Sequence, residues 1–440
     1  MSVVGLAAAL RLAILPCPHR ENSAIAATPP VMMPLAIRNY TATTALGRGR
    51  QAQLAALEQG RSGLQRNDFG PSGTDGQVLP TWIGRVEGLE QAALPNALSE
   101  YECRNNRLAW LALTQDDVLH DARSLGARYG SDRVAVVIGT STSSIGATEE
   151  AYTRLERDDS DTLRFPADMR RPIVHTPHSI GRFVQAATGL RGPCMTVATA
   201  CSSSAKVFAQ AARLIASGQA DAALVGGVDT LCGSVLYGFH SLGLVSAAPC
   251  RPFDARRDGL SLGEAGGFAL LERADAAVQA PTHRSFDLLL QGYGESSDAH
   301  HMSAPHPDGL GACLAIRDAL ARAGITPAEI GYLNLHGTAT PSNDVIEART
   351  VASVFPDTLH ASSTKGWTGH TLGAAGIVES VITLLALEHA LLPGTLGSDT
   401  PEPANGPQIR FSNARAQIQH AMNTSFGFGG NNCALIFGRA

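Results

Sequence analysis

The chain has 440 residues, of which 44% are hydrophobic and only 17% charged, so it can bury a large core and wholesale disorder is excluded. Its net charge of −5 and pI near 6.3 exclude a general nucleic-acid binder. No apolar run is read as matching the roughly 18 uncharged residues of a membrane span.

In chain order, residues 1–32 stand apart. An apolar run from Val3 to Leu15 is broken by Arg11 and followed by a polar, Pro-containing stretch. The run lacks the basic start of a secretory signal. It is read as an extension, disordered or upstream of a true start at Met32 or Met33. From Pro34 the pattern is globular. Gln51–Glu58 predicts a helix stopped by Gly60, and Asn105–Leu125 a second, closed by Gly126. Arg133–Ile138, Met195–Ala200 and Ala222–Val225 are continuous apolar runs, the pattern of strands covered on both faces. An alanine-rich helix is expected at Ser204–Ser217. APTH at Ala280–His283 breaks the pattern, after which the cycle repeats. Strands are predicted at Phe286–Leu290, Tyr332–Leu335 and Cys433–Phe437. Helices are predicted at Cys313–Ala323, Asn343–Phe355 and Ile377–Leu392. This alternation implies an α/β chain with a largely parallel sheet, built as two halves, 33–280 and 281–440, of one plan. Active sites in such folds gather beyond the carboxyl ends of strands.

Eight cysteines are scattered through apolar contexts with no metal-site spacing, which fits free thiols in a reducing, cytoplasmic compartment. Of 34 basic residues only Lys206 and Lys365 are lysines. An arginine-rich chain that keeps a lysine has a use for a compact ammonium.

Four segments carry chemistry. In Thr199-Ala200-Cys201-Ser202-Ser203 a buried strand runs into a helix, placing Cys201 near unpaired N–H groups and a dipole that stabilise a nucleophilic thiolate. His336-Gly337-Thr338-Ala339-Thr340-Pro341 follows a strand and offers an imidazole, a flexible backbone and two hydroxyls. Lys365 lies five residues before His370 in a glycine-rich turn. Ser425-Phe426-Gly427-Phe428-Gly429-Gly430-Asn431-Asn432 lacks the lysine and helix of a phosphate loop. It reads as a wall of the site, with Phe428 movable. Arg251-Pro252-Phe253-Asp254 to Gly267 is read as a supporting loop.

With these motifs in family order over residues 33–440 (TACSS, RPFDxxRDG, HGTATP, TKGWTGHTLGAAG, SFGFGGNN), the chain resembles the β-ketoacyl-acyl-carrier-protein synthases, condensing enzymes of the thiolase fold. The resemblance implies duplicated α/β halves in five αβαβα layers, with no metal and no organic cofactor. It implies that Cys201 takes the acyl group and that His336 and His370 serve malonyl decarboxylation. Lys365 matches the active-site lysine and Glu379 the helix glutamate. Thr338 and Thr340 would contact the pantetheine arm, and Phe428 would be the gate. The partners implied are an acidic acyl carrier protein and a second subunit, identical or paralogous. Arg104 and Arg107, three apart on one helix face, are candidates for the carrier's docking patch. Lys206, where fatty-acid synthases often carry histidine, and the TACSSS variant point to a specialised polyketide or aryl-polyene-like lipid rather than housekeeping fatty acids. A degradative thiolase would use a second cysteine as base, and a silent chain-length-factor subunit would lack Cys201.

Overall fold

The computed structural model describes residues 29–70, 77–277 and 288–440. Ten strands form one hydrogen-bonded path. They are β1 (Leu35–Thr44), β2 (Val134–Gly139), β3 (Cys194–Val197), β4 (Ala222–Asp229), β5 (Ala265–Arg273), β6 (Leu288–Ser297), β7 (Ile330–Leu335), β8 (His360–Ser363), β9 (His420–Gly427) and β10 (Asn431–Arg439). The spatial order is β8-β7-β9-β10-β6-β1-β5-β4-β2-β3. Numbered within its own half, each five-strand sheet reads 3-2-4-5-1. In both halves the pairs 3-2 and 2-4 are parallel and 4-5 and 5-1 antiparallel. The duplication that sequence identity hides is therefore explicit in the topology. The halves meet edge to edge where β1 pairs β6 at Leu35–Leu290 and Ala36–Leu289.

The helices that build the layers are α1 (Gly49–Gln59), α2 (Arg104–Leu113), α3 (Val118–Tyr129), α4 (Ser179–Thr188), α5 (Ser203–Ala216), α6 (Leu310–Ala323), α7 (Pro341–Val354) and α8 (Ala375–His389), with further helices at Ile145–Thr153 and Gly233–Ser241. α5 and α8 follow the third strands of their respective halves and touch strands of both sheets. They form the middle layer. α2, α3 and α4 cover the outer face of the first sheet, and α6 that of the second, with α7 against it. A middle helix must be apolar all round, which accounts for α8. Leu372–His389 is long and apolar enough to cross a membrane by length and composition, but it carries Glu379 and Glu388 and 89% of it is buried in the protein.

The long helix expected over Asn105–Leu125 is two helices. Asp116 and Asp117 adopt left-handed φ values of 49° and 61° between them. Long-range bonds hold the break: the Asp116 carboxylate accepts from Thr41 Oγ1 at 2.6 Å and the Arg50 N–H at 2.9 Å. Gly126 lies inside α3, which ends at Gly130. α1 ends as expected at Gly60, with φ 64°. α8 stops at His389, and Leu391–Leu392 is a short strand. The break at Ala280–His283 and residues 1–28 lie outside the described residues. Met32 is described, and its N–H donates to the Arg322 carbonyl at 2.8 Å.

Candidate active site

Strand ends deliver the expected residues to one place. Cys201 follows β3, His336 directly follows β7, Lys365 and His370 follow β8, and Phe428 directly follows β9. The equivalent third strands of the two halves thus supply the sulfur and the Lys365–His370 turn. His370 Nε2 lies 3.0 Å from Cys201 Sγ. The rings of His336 and His370 are 5.4 Å apart and nearly perpendicular, at 87°. Cys201, His336, Thr338, Thr340, His370 and Phe428 line one cavity of about 190 Å³.

The elbow at Cys201 is sterically specified. Ala200, just before it, has φ 53°, a left-handed conformation that a non-glycine residue holds only when its surroundings impose it. α5 starts immediately after and is wedged between glycines. A Cβ at Gly139 would come 2.4 Å from the Ser204 nitrogen, and one at Gly376 2.3 Å from the Ala205 nitrogen. Gly376, the last glycine of TGHTLGAAG, is thus the place where α8 and α5 touch backbone to backbone. Ala339 (φ 66°) and Leu372 (φ 56°) bend the other two site loops in the same way.

Buried carboxylates, missed in the sequence, hold those loops. Glu347 accepts the N–H groups of His336 and Gly337, both at 2.7 Å. Asp344 accepts the N–H groups of Phe253 at 2.8 Å and Ala339 at 3.2 Å, which ties the RPFD loop to the histidine loop. Asp229, at the end of β4, accepts the Gly373 N–H at 2.7 Å and the Ser141 N–H at 2.8 Å, fastening the His370 turn to the first half. Asp229 shows in the sequence as an acid ending an apolar run, while Asp344 and Glu347 lie in the mixed polar segment TPSNDVIEART and carry no such signal.

Lys365 is 1% exposed. Its Nζ bonds Glu379 Oε1 and the His336 carbonyl, and lies 3.5 Å from His336 Nδ1. A donor facing Nδ1 leaves the ring proton of His336 on Nε2, toward the cavity. Burial pushes the Glu379 carboxyl up to about 7, against the pull of Lys365. Burial also holds both histidines well below their ordinary range, helped by the Lys365 charge, so both rings are neutral at pH 7.

Cys201 departs from expectation. Burial pushes its thiol up to about 11, outweighing the Lys365 charge and the Phe428 N–H, which pull it down. The resting sulfur is a protonated thiol, and the neutral His370 Nε2 is placed to take its proton.

Phe428 stacks on Phe239, with centroids 5.6 Å apart and planes 20° apart, so it closes the cavity wall. Thr338 and Thr340 pair through their hydroxyls at 2.8 Å. Among the described free cysteines, only Cys201 lines this cavity. Arg104 and Arg107 do not form a free patch. Arg104 bonds the fully buried Glu264 (Nη2 to Oε1, 2.9 Å) and Glu90 at 2.8 Å, and Arg107 pairs with Glu102. They line a separate cleft of about 900 Å³ that shares no residue with the Cys201 cavity.

Family models for the N-terminal and C-terminal domains of β-ketoacyl synthases match residues 34–277 and 289–399. A mitochondrial 3-oxoacyl-[acyl-carrier-protein] synthase of Arabidopsis thaliana is 35% identical over 349 residues, 76% of this chain and 74% of that protein. A 3-oxoacyl-[acyl-carrier-protein] synthase 2 of Vibrio cholerae is 38% identical over 266 residues, 57% of this chain and 63% of its own length. A ketosynthase of Xenorhabdus doucetiae, solved in complex with its chain length factor, superposes with a TM-score of 0.81 at 36% identity, covering 93% of this chain and 98% of that one.

Proposed function

The chain belongs to the β-ketoacyl synthase family, and we propose that it condenses an acyl thioester with a malonyl thioester, both borne on an acyl carrier protein. The observation that carries this reading is the 3.0 Å approach of His370 Nε2 to Cys201 Sγ with His336 against the same cavity.

In the first half-reaction His370 takes the Cys201 proton as sulfur attacks the thioester carbonyl. The backbone N–H groups of Cys201 and Phe428 receive the oxyanion. Collapse breaks the bond to the carrier sulfur, which leaves as a thiol with the proton from His370. In the second, malonyl thioester loses carbon dioxide. The enolate oxygen is held by Nε2–H of His336, whose tautomer Lys365 sets, and by His370 once its ring proton, on Nδ1 after the first half-reaction, has moved to Nε2. The enolate carbon attacks acyl-Cys201, a carbon–carbon bond forms, and the thiolate leaves and is reprotonated. Thr338 and Thr340 line the pantetheine path and Phe428 gates it.

The second subunit is a paralogous chain length factor. The support is that the Xenorhabdus doucetiae ketosynthase, solved with such a partner, matches nearly its whole length here. That likeness, with TACSSS and Lys206, favours a specialised polyketide-type or aryl-polyene-like product over housekeeping fatty acids.

Intact-protein mass spectrometry after incubation with acyl carrier protein tests the reading. The wild type gains one acyl mass on Cys201 and Cys201→Ala gains none. An adduct on Cys194 or Cys232 overturns it.

A further inference from the structure

Lys206 is one of two lysines in the chain and takes no part in the chemistry above. It lies on α5 five residues after Cys201, and its Nζ donates to Asn431 Oδ1 at 3.2 Å. Asn431 immediately follows the Phe428–Gly430 turn and begins β10. That turn is where a hinge must be, because Gly429 and Gly430 both hold left-handed φ, 78° and 72°, which glycine adopts and leaves at little cost. The turn is also tied to the elbow, through the Phe428 N–H at the Cys201 sulfur, and to its neighbouring loop, while Asn431 pairs in the sheet with Gly427 and Ser297. The Gly429 N–H donates to the Met302 carbonyl at 2.7 Å, and the Asp298 N–H to the Gly430 carbonyl at 2.9 Å. Asn432 Nδ2 reaches the same loop, at Asp298 Oδ1, 2.8 Å away. Met302 is 77% exposed, so that anchor can travel with the turn, whereas Asp298 and Asn432 are buried. α5 cannot travel, since it is buried between the two sheets.

We propose that Lys206 is a positioning residue for the gate. By holding Asn431 to the rigid nucleophile helix, it fixes the far hinge of the turn and keeps Phe428 stacked on Phe239 over the sulfur. The reading takes Phe428 as the gate, as above. The partner is the neutral Asn431 side chain, so the contact is a single charge-assisted hydrogen bond, strong enough to bias the gate and weak enough to release it. An arginine fork, longer and planar, does not reproduce the contact of a compact ammonium.

The test measures alkylation of Cys201 by iodoacetamide, which needs no carrier or acyl substrate and so stands apart from the proposed reaction. Lys206→Met and Asn431→Ala are each expected to raise the rate about tenfold with an unchanged melting temperature, while Lys206→Gln, which keeps a donor, recovers part of the protection. In a Phe428→Ala background, already fast, Lys206→Met adds nothing, because the gate is gone. With acyl-loaded enzyme, Lys206→Met shortens the lifetime of acyl-Cys201 through hydrolysis. An alkylation rate unchanged in Lys206→Met, or a full tenfold effect persisting in the Phe428→Ala background, overturns the proposal.

Discussion

The Lys365 ammonium stands 3.5 Å from Nδ1 of His336 and is simultaneously bonded to that residue's own carbonyl oxygen. One buried cation therefore orients a catalytic-site ring and the backbone that carries it, with Glu379 balancing its charge. Replacement of Lys365 by arginine puts a planar fork where a point donor is required. Lys365→Arg is expected to lower condensation at least a hundredfold. Lys365→Met leaves Glu379 buried and unpaired and should cost about 3–5 kcal/mol of stability. Lys365→Met combined with Glu379→Leu should recover most of that stability, but not activity. Denaturant unfolding alongside turnover separates the two effects, and near wild-type turnover in Lys365→Arg refutes the assignment.

The two histidines should separate by half-reaction. His336 does not face the thiol proton, so His336→Ala is expected to keep self-acylation within about threefold while losing carbon dioxide release from malonyl carrier. His370→Ala should slow both. Without its base, acylation must draw on free thiolate, and the thiol lies at about 11. Its rate should rise nearly tenfold per pH unit from 7 to 10, whereas the wild type is flatter. A flat profile in His370→Ala would exclude His370 as the base.

Arg104 bonds to Glu264, whose side chain is fully buried and also accepts the N–H groups of Val86 at 2.9 Å and Leu231 at 3.1 Å. Arg104→Glu should therefore destabilise the fold by about 3–5 kcal/mol rather than selectively raise KM for the carrier. Arg107→Glu, at a half-exposed pair, should change stability by less than about 1 kcal/mol. Thermal melts of the two variants distinguish a structural arginine from a docking one.

Gly376→Ala adds a methyl 2.3 Å from the Ala205 nitrogen and 2.8 Å from its Cβ. Neither atom is the end of a flexible side chain, so α8 and α5 must part. A loss of about 1–3 kcal/mol is expected, with Cys201 acylation falling because α5 carries the elbow. A melting temperature within error of wild type would mean that the two helices are not in backbone contact.

The α/β alternation, the apolar runs of β2 and β4 and the four motif turns were legible in the chain because they are local, whereas β3, read as covered on both faces, is a partly exposed edge strand and the sheet is mixed rather than largely parallel. Burial on both faces writes an apolar run, and a strand-to-helix elbow needs small residues at fixed positions. Those signals placed Cys201, His336, Lys365 and His370 on strand-end turns that the fold does bring together. What depended on distant chain segments was not legible. The break between α2 and α3 is held by Asp116 reaching Thr41 and Arg50, so helical spacing alone ran through it. Arg104 looked like one edge of a basic face until the fold set Glu264, 160 residues away, against it. The protonation of Cys201 followed the same rule. Burial raises a thiol, and only the packing of the two halves around the sulfur set how deeply Cys201 lies.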